Sequence, residues 1–141
     1  MPKIGHIAIR SAHPGKAADF FKQAFGFTEI QRFGFDPARP DEAGTPSVVT
    51  LTDGTINLTF LKTSAENLGC DEDFLGIQHF GIVVDDLDSW TKKLESLGAP
   101  CIVGLDRLPP NAHKEIKFRG PDEVVFDIAA SPWPGTPGHS R

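Results

Sequence analysis

Two histidines stand alone in apolar, strand-like stretches of this 141-residue chain, His6 in IGHIAIR and His79 in IQHFGIVVDD. Successive side chains of a strand point to opposite faces. His6 therefore shares a face with Ala8, against Ile7 and Ile9, and His79 shares one with Gly81 and Val83, against Phe80, Ile82 and Val84. Two later stretches have the same character. INLTF sets Asn57 and Thr59 opposite Ile56, Leu58 and Phe60, and VVFDIA sets Asp127 with Val125 and Ala129 opposite Val124, Phe126 and Ile128. The separations His6 to Asn57 and His79 to Asp127 are nearly equal. Each half of the chain thus offers an imidazole and a side-chain oxygen on the small or polar side of a strand. Taken singly, each of the four reads equally well as a packed or solvated strand residue. Brought together in one cavity, two imidazoles and two oxygens would suit a divalent-metal site.

The elements that must position these residues are written twice. The first half reads as strand Ile4–Arg10, a helix from Pro14 to a stop at Gly26, and strands near Thr28–Phe33, Val48–Thr52 and Ile56–Leu61. Proline suits a first helical turn and glycine a helix end. Ala17, Phe21, Ala24 and Phe25 make the helix's apolar face, and Asp53-Gly54 marks a hairpin turn. FDPARPDEAGTP reads as a loop. The second half repeats the order. Strand Gln78–Val84 leads to a helix capped by Asp85 or Asp86, with Leu87, Trp90, Leu94 and Leu97 on one side and Gly98 at its end. Strands follow near Cys101–Leu105, Lys114–Arg119 and Val124–Ala129. The fold class is α+β: two tandem β-α-β-β-β modules, 1–61 and 76–130, forming an open curved eight-stranded assembly, with a linker over 62–75. The tail over 131–141 is Pro/Gly-rich and expected to be extended or disordered, with Trp133 a possible anchor.

A hydrophobic content of 39% lets a chain of this length bury a core as one domain. The net charge of −5, with no Lys/Arg-rich run, argues against nucleic acid and anionic membranes as partners. No apolar stretch approaches the ~20 residues of a membrane span, and MPKIGHIAIR lacks the apolar core of a signal peptide. Cys70 and Cys101 sit in unlike contexts, which argues against a disulfide framework and for a reducing cytoplasm.

GHIAIRS followed by ADFFKQAFGF, then DGTINLTF, IQHFGIVVDDLD and RGPDEVVFDI, resembles the vicinal oxygen chelate superfamily of glyoxalase I, extradiol dioxygenases, methylmalonyl-CoA epimerase, and fosfomycin and bleomycin resistance proteins. The resemblance runs to about Ala130. It implies one divalent metal ion per site (zinc, nickel, manganese or iron) held by His6, His79 and Asp127, with Asn57 where glyoxalase I has a glutamate ligand. Two positions depart from the pattern: Asn57 is neutral, and Asp127 is one methylene shorter than the usual glutamate. GPDE also replaces a more usual DPDG. The implied activity is that of a lyase or isomerase on a small oxygen-chelating substrate, in which the metal acts as Lewis acid. Such chemistry needs a base beside the metal. In HKEIKF, Ile116 and Phe118 take the apolar face, which aims His113, Glu115 and Lys117 at the other and makes Glu115 the candidate. Two alternatives stay open. One is an extradiol-type iron(II) dioxygenase using His6, His79 and Asp127, against which the absence of any tyrosine counts. The other is a metal-free small-molecule binding protein with Phe33 and Phe35 at its pocket. Arg10, Arg32 and Lys117 read either as surface charge or as binders of a substrate anion. The resemblance also implies a homodimer.

Overall fold

The computed structural model describes residues 2–34, 46–108, 113–133 and 135–136. Eight strands form one sheet: β1 Lys3–Arg10, β2 Thr28–Phe33, β3 Val48–Thr52, β4 Asn57–Leu61, β5 Gly76–Val83, β6 Cys101–Val103, β7 Glu115–Arg119 and β8 Val125–Ala129. Helix α1 spans Pro14–Phe25, α2 Ala65–Leu68 and α3 Leu87–Ser96. The strand order is β2-β3-β4-β1-β5-β8-β7-β6. In each module the first strand pairs in parallel with the last, β1 with β4 and β5 with β8. The modules join where β1 runs antiparallel to β5. The two-module architecture expected from the repeat is therefore present. It has a direct consequence: the four strands bearing His6, Asn57, His79 and Asp127 are the four central ones.

Strand parity divides the sheet as the sequence implies. Ala18 of α1 packs with Val49, Leu51 and Phe60, joined by Ile9, Phe21 and Leu58. Beneath α3, Leu87, Trp90 and Leu94 lie on Ile82, Ile116, Phe118 and Ile128. The helix ends follow the local chemistry. Gly26 closes α1 in the left-handed region, at φ 72°. Asp86 caps α3, its Oδ2 accepting from the Ser89 amide at 3.0 Å, while Asp85 accepts from Trp90 Nε1 at 2.8 Å.

Several expectations need correction. Ala24 and Phe25 are exposed, Phe25 by 65%, because α1 rolls its Ala17–Ala18–Phe21 stripe onto the sheet instead. Leu97 is 73% exposed because α3 has already ended at Ser96. β6 stops at Val103 and a 3-10 turn, Leu105–Arg107, takes its place. The linker contains α2, capped by Ser64 and closed by Gly69 at φ 71°. Leu68 of α2 packs on Ala8, Val48 and Leu61, so this short helix covers the concave face of module one. Most of the loop between β2 and β3, with Phe35, lies outside the described residues.

Candidate metal centre

Register brings the central strands' odd residues into a row. His6 stands beside Asn57 across β1 and β4, beside Gly81 across β1 and β5, and Gly81 stands beside Asp127 across β5 and β8. His79 pairs with Ala8 one step along. Side chains of these residues share the concave face. His6 Nε2 lies 3.4 Å and His79 Nε2 3.1 Å from Asp127 Oδ2, and one donor atom of each residue falls within 4.8 Å of the others. All three residues are buried. Gly81 makes the gathering possible: a Cβ there would fall 2.0 Å from His6 Cε1 and 2.7 Å from Asp127 Oδ1.

The protonation states follow from the surroundings. Burial pushes the His79 pKa down and outweighs the pull of Asp127, so its imidazole is held neutral. Burial pushes the same way at His6, but the Asp127 carboxylate prevails and the net shift is upward. The two imidazoles hold Asp127 well below the ordinary carboxylate range against the opposing effect of its own burial. Sequence reasoning missed Gln78, whose role depends on a bulge. The β1–β5 register slips between Ala8 and Ile9, leaving Gln78 unpaired and its side chain beside His79. Gln78 Nε2 donates to the Leu68 carbonyl at 3.0 Å, so its Oε1 faces His79 Nδ1 and accepts from it. That contact fixes the tautomer and leaves the Nε2 lone pair directed at the Asp127 carboxylate.

These residues fit a divalent cation. A neutral imidazole lone pair beside a carboxylate oxygen is a repulsive arrangement that a cation relieves. Both imidazoles flank the Asp127 carboxylate, yet neither of its buried oxygens makes a well-formed hydrogen bond, and Asn57 Oδ1 is buried without a hydrogen-bond partner. A buried carboxylate left in that state is costly unless it is paired or coordinates a metal. Nitrogen and carboxylate donors suit zinc, nickel, iron or manganese alike.

The remaining candidates separate. Asn57 is fully buried on the same face, and its Nδ2 donates to Thr136 at 2.8 Å. Glu115 lies against Asp127, and its Oε1 is 3.7 Å from Lys117 Nζ. Burial and the Asp127 charge raise the Glu115 pKa to about 7, against the weaker opposing pull of Lys117 and His6. Lys117 is buried on this face, in register with Asp127. Arg10 and Arg32 lie elsewhere. Arg10 holds the linker by donating to the carbonyls of Thr63, Glu72 and Phe74, and Arg32 pairs with Glu29 and Asp19. The pocket above the cluster is lined by Gly5, His6, Gly81, His113, Asp127 and Trp133 among others. Phe33 packs instead against the α2 cluster.

Comparison with solved structures finds the same architecture. A hypothetical protein from Bacillus halodurans C-125 superposes with a TM-score of 0.64 at 16% identity, over 90% of this chain and 92% of that one. A Streptomyces coelicolor methylmalonyl-CoA epimerase variant, in complex with 2-nitronate-propionyl-CoA, gives 0.63 at 15% identity over 89% and 94%. Methylmalonyl-CoA epimerase from Mycobacterium tuberculosis gives 0.59 at 17% over 93% and 88%. At such identities the likeness establishes the fold. No protein of curated function matches the sequence. The model of the Glyoxalase/Bleomycin resistance protein/Dioxygenase superfamily matches residues 3–128, and the chain belongs to that superfamily.

Proposed function

We propose that the protein is a metal-dependent lyase or isomerase of the glyoxalase-like type, which moves a proton on a carbon next to a carbonyl of a small oxygen-chelating substrate. The observation that carries this reading is the buried His6–His79–Asp127 cluster, held open by Gly81 and poor in partners for its carboxylate. A divalent ion bound there would supply Lewis acidity to neighbouring substrate oxygens. Glu115 is the base. It lies on β7 beside Asp127, and a carboxyl raised to about 7 both takes and returns a proton near neutral pH. Lys117 places a buried ammonium beside it, suited to negative charge that develops on the substrate. Gln78 keeps His79 in the tautomer a cation needs. The methylmalonyl-CoA epimerases of the same fold make acyl-CoA thioesters the first compounds to try.

The test is proton exchange in D2O. Metal-loaded protein is mixed with methylmalonyl-CoA and other compounds bearing an acidic C–H next to a carbonyl, and loss of that proton signal is followed by NMR. Exchange that needs His6, His79 and Glu115 is expected; its absence across the panel, with metal bound, defeats the proposal. One observation favours a second reading: two histidines and one carboxylate are also the facial set of non-haem iron(II) oxygenases. Oxygen uptake with catechols by iron-loaded protein would select an extradiol-type dioxygenase instead.

A further inference from the structure

The described residues that follow β8 cross back over the pocket to module one. Trp133 stands edge-on to His6, ring centroids 6.4 Å apart, and tilts against His113 at 4.7 Å. Gly135, at φ 81°, presses so closely on β2 that a Cβ would collide with Ile30. Thr136 is buried. Its hydroxyl donates to the Trp133 carbonyl at 2.6 Å and accepts from Asn57 Nδ2 at 2.8 Å. These two bonds fix the Asn57 amide. The hydroxyl's one proton is taken by the carbonyl, so Thr136 can only accept from Asn57, and the NH2 group must face it. Oδ1 is left on the other side, buried and without a hydrogen-bond partner, on a residue in register with His6. An acidic residue at position 57 could not donate to Thr136, which gives the neutral amide a physical reason.

We propose that residues 131–133 and 135–136 form a strap whose Thr136 positions Asn57, turning the amide so that Oδ1 is the free oxygen donor beside His6 and the NH2 end belongs to the strap. The proposal rests on the metal-site reading above. Thr136 is a positioning residue, and Trp133 forms the roof whose carbonyl completes the relay. Outer partners of this kind typically change metal affinity by about 10- to 100-fold when removed.

The experiment compares wild type, Thr136→Val and Thr136→Ser in the full chain, by competition titration of Zn2+ and Mn2+ against a chelating dye. Trp133 emission is followed in a Trp90→Phe background. Thr136→Val is expected to weaken metal binding by about 10- to 100-fold and to shift the Trp133 emission of metal-free protein, with Thr136→Ser close to wild type in both. Wild-type affinity in Thr136→Val, while a His6→Ala/His79→Ala variant loses the metal, overturns the positioning role. If wild type itself binds neither ion, the metal reading fails; the strap then stands on the emission shift alone, and unchanged emission overturns that too.

Discussion

A methyl group on residue 81 would occupy the space where His6 meets Asp127. Gly81→Ala is therefore expected to cost roughly 1–3 kcal/mol of stability through overpacking, read by thermal unfolding, and to lower metal affinity at least tenfold; wild-type metal affinity would show that the cluster does not depend on that space. Glu115 gives a prediction in pH. Its pKa is raised in the folded protein, from 4.5 to about 7, so the fold holds the proton more tightly than the unfolded chain does. Stability is consequently lost as pH climbs through that window, and Glu115→Gln removes the loss. Relative to wild type, the metal-free variant should gain roughly 2–3 kcal/mol between pH 5 and pH 8, followed by urea unfolding at each pH. A flat difference would place the Glu115 carboxyl in water. At this scale the sequence was informative where parity decides: His6, Asn57, His79, Asp127, Glu115 and Lys117 all lie on the side expected. Gln78 was not legible, because a bulge rather than alternation puts it beside His79.

The elements read well from sequence wherever capping and periodicity agree. Asp86 before LDSWTKKL is one such place, and Asp86→Ala should cost about 1 kcal/mol by loss of the cap, measured as a lower unfolding midpoint. They read poorly where packing decides. Phe25 continues the apolar spacing of α1 but points to solvent, and α2 is too short for periodicity to show. The β7–β8 turn illustrates a local conflict. Asp122 and Glu123 both lie at positive φ, 57° and 63°, where the superfamily's usual DPDG would put glycine at the second position. A left-handed conformation costs a non-glycine residue about 1–2 kcal/mol. Glycine's extra unfolded-state freedom returns part of that. Glu123→Gly is thus expected to stabilise the protein by about 0.5–1 kcal/mol, despite the loss of an exposed contact to Arg119. A destabilised variant would show that the turn is not strained.

For the whole molecule, the doubled β-α-β-β-β plan does more than shape a sheet. It places both modules' first and last strands at the centre, so the candidate metal ligands His6 and Asp127, 121 positions apart, meet on the central strands. The repeat made this visible in the sequence. The path of residues 131–133 and 135–136 was not visible, since Pro/Gly-rich segments carry no periodicity and only tertiary contacts to Asn57, His6 and Ile30 reveal where they lie. The family resemblance implies a homodimer, for which light scattering of the purified chain should give twice the monomer mass. The central claim is that His6, His79 and Asp127 hold a metal. The direct measurement is metal content by mass spectrometry of tag-free protein, beside the His6→Ala/His79→Ala variant. Close to one divalent ion per chain, lost in the variant, is the expected result. No ion in wild type, even after reconstitution with zinc, nickel, manganese and iron, would contradict it and leave a binding protein on the same scaffold.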